Sequence, residues 1–229
     1  EENFLQALTE EIDIIFLCNP NNPTGLLVEK PLLEKILKRC QELNILMAVD
    51  ECFLDFVPSP EKYTLKEYLE TYDNLFLLKA FTKRYAMAGV RLGYGLCGNK
   101  GLLEKIEGVC QPWNVSSMAQ AAGLAALQER EYVEKGRQVT FQELAYLKEE
   151  LAALGYPVYP SQANYVFFTG PADLYEKLEQ KKILIRDCSN YTGLSKGYYR
   201  VAVKKHEENQ QLVRALKEID RTKVENVIL

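Results

Sequence analysis

The sequence predicts an α/β fold: a mostly parallel sheet with helices on both faces, followed by a smaller α+β domain. Three observations carry this. Short apolar, β-branched runs alternate with helical patterns through the first half of the chain. The early runs end in turns or polar residues, as strands buried in a parallel sheet do. After a long amphipathic helix the texture changes to short strand-like runs with helices among them.

The elements follow in order. Ile12–Cys18, IDIIFLC, reads as a fully buried parallel strand ending in the turn NPNNPTG, Asn19–Gly25. Glu29–Leu43 has Leu32, Leu33, Ile36 and Leu37 at helical spacing and Pro31 in its first turn. Ile45–Val49 is the next strand and ends at Asp50-Glu51. Leu65–Tyr72 has the spacing of a further helix, Asn74–Leu78 that of a third strand, and Leu92–Cys97 that of a fourth. Ser116–Gln128 is an Ala-rich helix with a Ser cap. Glu131–Leu154 is a long amphipathic helix ended by Gly155. Strand-like runs follow at Tyr156–Tyr159, Asn164–Phe168, Ile183–Ile185 and Tyr199–Val203, with helices at Ala172–Lys181 and Glu207–Ile219. The domain boundary is placed near Glu131, giving domains 1–130 and 131–229.

Composition narrows the function. Hydrophobic residues make up 47% of the 229 residues and charged ones 26%, which suits a soluble globular protein with a sizeable core. Net charge is −4 with no basic block, which argues against a nucleic-acid partner. No apolar run approaches the roughly 18 residues needed to cross a membrane. The six cysteines lack CxxC spacing, and several sit in apolar runs, so a reduced, cytoplasmic home is expected. The single histidine, His206, argues against a His-based metal site or a Ser-His-Asp triad, and no metal is expected. Acid–base work falls to Lys, Tyr, Asp or Glu.

Functional groups in open α/β sheets gather at the carboxyl ends of strands. Asn22 follows the first strand, Asp50 the second and Lys83 the third. Each also has a plain reading: Asn22 as a turn residue, Asp50 as a loop or cap carboxylate, Lys83 as a solvated side chain. Arg200 lies in an apolar strand, where a charge lacking a partner is costly, so a ligand-facing role is favoured.

The motifs NPNNPTG, DECF at Asp50–Phe53 and AFTKRYAMAGVRLGY at Ala80–Tyr94, in this order and spacing, resemble the fold-type I pyridoxal-phosphate enzymes of the aminotransferase class I/II superfamily. Within it the chain is similar to the histidinol-phosphate aminotransferase branch, and most of all to the threonine-phosphate decarboxylases of cobalamin biosynthesis. That wording runs through QPWNVSSMAQ, YPSQANYVF and LIRDCSNYTGLSKGYYRVAV. The resemblance implies pyridoxal 5'-phosphate as cofactor, with Lys83 forming the Schiff base and Asp50 facing the pyridinium nitrogen. Asn22 would bond the 3-oxygen and help hold the substrate carboxylate, and Arg91 would hold the phosphate. Thr82 also joins the cofactor-binding set. Arg200 would fork onto the α-carboxylate, Arg186 would meet a second anionic group, and Asn164 would line the substrate site.

Two positions depart from the pattern. Ala80 stands where a Ser or Thr usually contacts the phosphate, and Phe53 where aminotransferases usually have Tyr. The resemblance therefore implies a lyase that decarboxylates L-threonine O-3-phosphate. An aminotransferase of the histidinol-phosphate type is the alternative, and a non-catalytic regulatory module of the same fold is the second. It also implies a homodimer at full length. Family members carry a Gly-rich phosphate loop and a stacking aromatic upstream of the segment matched here. Domain 1–130 thus reads as the later part of a large cofactor-binding domain, and the chain alone is expected to bind cofactor weakly and to be inactive.

Overall fold

The structure, a computed structural model, describes residues 1–227. The chain divides into two compact units. One comprises Glu1–Asn21 with Leu27–Glu134, the other Asn22–Leu26 with the chain from Lys135 onward. The division falls four residues beyond the expected boundary. It also places the turn Asn22–Leu26 with the second unit, whereas the sequence reading kept it in domain 1–130. The reason is local: Gln162 N–H donates to Gly25 O at 2.8 Å and Arg200 donates to Asn22.

In the first unit, α1 (Glu2–Gln6) precedes β1 (Ile14–Cys18), α2 (Lys30–Glu42), β2 (Leu46–Asp50), β3 (Leu75–Ala80) and the short α3 (Phe81–Arg84). Then come β4 (Gly93–Cys97), α4 (Lys100–Val109) and α5 (Ser117–Ala126). The sheet order is β1-β2-β3-β4, with β1-β2 and β2-β3 parallel and β3-β4 antiparallel. Pro31 starts α2, and the 3.6-residue period of its apolar positions brings Leu33, Ile36, Leu37 and Cys40 onto one buried stripe. That stripe packs with Ile45, Met47, Val49, Leu75 and Leu77. Burying each large aliphatic side chain contributes about 1.5–3 kcal/mol. Ser116 caps α5 as expected, its Oγ accepting Ala119 N–H at 3.1 Å.

Three expectations for this unit are corrected. β1 is an edge strand, and Ile14 (41% exposed) and Phe16 (71%) remain exposed on it, so it is not fully buried. Leu65–Tyr72 is not a helix but a single 3-10 turn at Lys66–Tyr68. Its apolar spacing packs Leu65, Tyr68, Leu69 and Tyr72 onto the core, and Glu51 accepts the Leu65 N–H at 3.2 Å. Helices α1 and α4 were not expected. α4 is capped by Asn99, whose Oδ1 accepts Leu102 N–H at 3.0 Å.

The boundary lies inside α6 (Arg130–Ala153), which ends at Gly155 with φ +81. The second unit adds β5 (Tyr165–Thr169), α7 (Leu174–Gln180), β6 (Arg186–Asp187), β7 (Tyr198–Ala202) and α8 (His206–Val227). Its sheet is antiparallel in the order β5-β7-β6. Leu144, Leu147 and Leu151 of α6 and Leu212, Val213 and Leu216 of α8 bury against Val166, Phe168 and Val201. Tyr156–Tyr159 contributes only a bridge, Val158 to Phe168. The strand expected at Ile183–Ile185 pairs instead at Arg186–Asp187, because Ile183 and Ile185 turn into the core.

Candidate active site

β2 delivers Asp50 and Glu51 side by side, and their fates differ. Asp50 is partly exposed at the strand end, and its Oδ1 accepts the Cys52 N–H at 2.9 Å, a short turn that aims the carboxylate. Burial, followed by the neighbouring Asp50 carboxylate, pushes the Cys52 thiol up to about 12. Glu51 is wholly buried. It takes Lys79 Nζ at 2.7 Å, Thr64 Oγ1 at 2.9 and 3.0 Å, and Leu65 N–H at 3.2 Å. Sequence reasoning missed this cluster, since nothing local marks Lys79 as its partner.

β3 runs into α3, which carries Lys83. Phe81 anchors that turn: its N–H donates to Leu92 O at 3.1 Å, and its buried ring stacks on Tyr85 at 5.1 Å. Arg84 takes the nearby Asp55 carboxylate at 2.7 Å. Lys83 Nζ has no ion pair among the described residues and stands 5.7 Å from the Phe53 ring centroid. Thr82 is partly buried and lies directly before it. Arg91 is exposed in the left-handed region, φ 57, and its Nη1 donates to Ala88 O of its own loop at 3.2 Å. Among the described residues one unit thus offers an amine without an ion pair, a strand-end carboxylate and an exposed guanidinium without a carboxylate partner.

The second unit gathers the other candidates. Arg200 Nη1 donates to Asn22 Oδ1 at 2.5 Å, and its guanidinium carbon lies 5.0 Å from the Tyr165 ring centroid. Arg186 is the direct cross-strand partner of Arg200. Its Nη2 donates to Asn190 Oδ1 at 2.7 Å, and its guanidinium lies over the Tyr191 ring at 5.6 Å. Tyr191 Oη in turn donates to Asn22 Oδ1 at 3.4 Å. Neither guanidinium has a carboxylate partner among the described residues. Asn164 is not joined to this group by a hydrogen bond. Its backbone oxygen accepts Val203 N–H at 2.9 Å, and its buried Oδ1 has no hydrogen-bond partner among the described residues. Asn190 and Tyr191 were missed, because a polar tract rich in turn formers gives no sign of which side chain faces inward.

The model of the family described as aminotransferase class I and II matches residues 2–216. The chain belongs to this family. It is 38% identical over 219 residues to a threonine-phosphate decarboxylase of Salmonella typhimurium, covering 94% of this chain and 60% of that one. It is 31% identical over 225 residues to a histidinol-phosphate aminotransferase of Methanosphaera stadtmanae, covering 95% and 59%. The structure also superposes on the crystal structure of the histidinol-phosphate aminotransferase from Clostridium acetobutylicum with a TM-score of 0.88 at 32% identity. That match covers 93% of this chain and 65% of the other. The chain spans about 60% of the length of the curated relatives it matches.

The class I and II aminotransferase family uses pyridoxal 5'-phosphate, and the groups present suit it. An amine without an ion pair matches the aldehyde, a carboxylate the pyridine nitrogen, and a guanidinium the phosphate. Ala80 adds no hydroxyl, and as the residue before α3 it makes no side-chain cap. No described helix is long and apolar enough to cross a membrane.

Proposed function

We propose that the protein is a cytoplasmic, homodimeric pyridoxal-phosphate lyase that decarboxylates L-threonine O-3-phosphate. The observation that carries this is the placing of Arg186 and Arg200 on facing positions of β6 and β7. Two like charges directly opposite are unfavourable unless an anionic ligand joins them. A phosphorylated amino acid brings a carboxylate for Arg200 and a phosphate for Arg186 at the same time. Histidinol phosphate brings no carboxylate; in aminotransfer, the second anion arrives only with the amino donor.

When bound, the cofactor would supply an electron sink for the pair released at the substrate Cα. Asp50 keeps the pyridine nitrogen protonated, Arg91 holds the phosphate, and Thr82 adds a hydroxyl to that end. Asn22 has its oxygen occupied by Arg200, so its amide nitrogen points to an acceptor on the cofactor or substrate. Arg200 orients the carboxylate, and Asn164 lines the substrate site. The Cα–carboxylate bond breaks, carbon dioxide leaves, and Lys83 delivers the proton that takes its place at Cα. Phe53, lacking a hydroxyl, favours this lyase reading over amino transfer.

The full-length protein, loaded with cofactor, is expected to convert L-threonine O-3-phosphate into carbon dioxide and the phosphate ester of 1-aminopropan-2-ol. Turnover of histidinol phosphate with 2-oxoglutarate, without carbon dioxide release, would establish the aminotransferase reading instead, which the TM-score of 0.88 to such an enzyme favours.

A further inference from the structure

Asn22 Oδ1 accepts two donors, Arg200 Nη1 at 2.5 Å and Tyr191 Oη at 3.4 Å. A guanidinium can only donate, so the atom facing Arg200 is the amide oxygen and the amide nitrogen points away. The same Tyr191 offers its ring face to Arg186 at 5.6 Å. It is therefore the side chain that touches both the Asn22–Arg200 pair and the second guanidinium. Its own position is built in. Tyr191 N–H donates to Cys188 O at 3.1 Å, with Cys188 fully buried, and Leu194 N–H donates to Tyr191 O at 3.0 Å. Asp187 Oδ1 accepts Ser189 N–H at 2.8 Å and starts the turn. Asn190, the next residue in the same turn, holds the far side of Arg186.

We propose that Tyr191 is a positioning residue that sets the spacing of the two guanidiniums and so selects amino acids bearing a second anionic group. The proposal rests on the reading above, in which Arg200 and Arg186 face the substrate. The hydroxyl acts on the carboxylate end through Asn22. The ring acts on the phosphate end through Arg186, since a cation over an aromatic face is held in place.

The two halves of the side chain separate by substitution. In the full-length, cofactor-loaded protein, Tyr191→Phe removes the hydroxyl alone and Tyr191→Leu removes the ring as well. KM and kcat are measured for L-threonine O-3-phosphate and for L-threonine, and melting midpoints are compared. Tyr191→Phe is expected to raise KM for both amino acids by a similar factor, about 3- to 10-fold, the loss of one hydrogen bond. Tyr191→Leu is expected to lower the preference for the phosphorylated amino acid by a further factor of about 3–10, at a melting midpoint close to that of the parent. Equal losses on both amino acids in Tyr191→Leu, or no change in either variant, overturns the proposal. Arg186→Gln and Arg200→Lys serve as the reference. If these raise KM while the Tyr191 variants do not, Tyr191 alone is misassigned. If these also leave KM unchanged, the site reading itself falls.

Discussion

Lys79 closes on Glu51 at 2.7 Å, and the Glu51 side chain has no exposed surface. The pair ties the end of β2 to the end of β3, the two strands that deliver Asp50 and Lys83. The Glu51 N–H reinforces the tie, donating to Leu78 O at 3.0 Å. Removing one member of a buried pair strands the other charge, which costs more than the pair contributes. Lys79→Met is expected to destabilise the protein by about 3–5 kcal/mol. The double variant Lys79→Met with Glu51→Gln recovers part of that, because the stranded charge is gone. Urea denaturation of the parent, both single variants and the double variant closes the cycle. A Lys79→Met loss under about 1 kcal/mol would show that the pair is not what holds these strand ends.

Lys83 has the opposite character. It is exposed, makes no ion pair among the described residues, and its Nζ lies over the face of Phe53. Lys83→Ala is therefore expected to leave folding stability within about 0.5 kcal/mol of the parent. Under the proposed mechanism, which makes the amine both covalent anchor and proton carrier, turnover falls by a factor of about 10³ or more. Stability is read from denaturation and activity from product formation on one preparation. Loss of both together would make Lys83 a structural residue.

Gly25 is required by space and by backbone. Its φ is +72, and a Cβ there would come within 1.8 Å of Ser161 Oγ and 2.7 Å of Ser161 Cβ. Ser161 cannot yield, because its Oγ donates to Tyr165 O at 2.5 Å and its carbonyl accepts from Lys148. Gly25→Ala is expected to cost about 2–5 kcal/mol, left-handed strain plus overpacking. If Asn22 holds the substrate as proposed, the substitution also raises KM, because the same turn carries that residue. Adding Ser161→Gly removes both clashing atoms and recovers the packing part, leaving about 1–2 kcal/mol of backbone strain. If the second substitution gives no recovery in denaturation midpoint, the clash is not the cause.

The positions of Asp50 at the end of β2, Lys83 after β3 and Asn22 after β1 were legible in the sequence because each follows an apolar run. The Asn22–Arg200 bond was not, because its partners are 178 residues apart and only the tertiary fold joins them. Glu51 was hidden for the same reason: it reads like Asp50 and differs only in which way its side chain turns from the strand. The 3-10 turn at Lys66–Tyr68 imitated a helix because apolar spacing reports which side chains are buried, not which backbone bonds form. β6 slipped along the chain because its length is set by the register with β7, and Ile183–Ile185 serve the core instead.

Alkaline pH is expected to loosen the first unit through the buried Cys40 and the partly buried Cys52. Burial pushes Cys40 up to about 11 and Cys52 up to about 12, from an ordinary value of 9.0. A folded value above the unfolded one means the folded state holds its proton longer. The stabilisation is fully present below pH 9 and is lost as pH rises from 9 through 11 for Cys40 and 12 for Cys52. Within that window the fully buried Cys40 lowers the unfolding free energy by up to about 1.4 kcal/mol per pH unit, and the partly exposed Cys52 by less. Urea denaturation at pH 8 and pH 10 should therefore show a drop that shrinks in Cys52→Ala. The same protonation makes Cys52 slow to react with iodoacetamide at pH 8, while the exposed Cys110 reacts first. Peptide mapping of the labelled protein decides this, and preferential labelling of Cys52 would mean that its thiolate, with Asp50 beside it, is accessible after all.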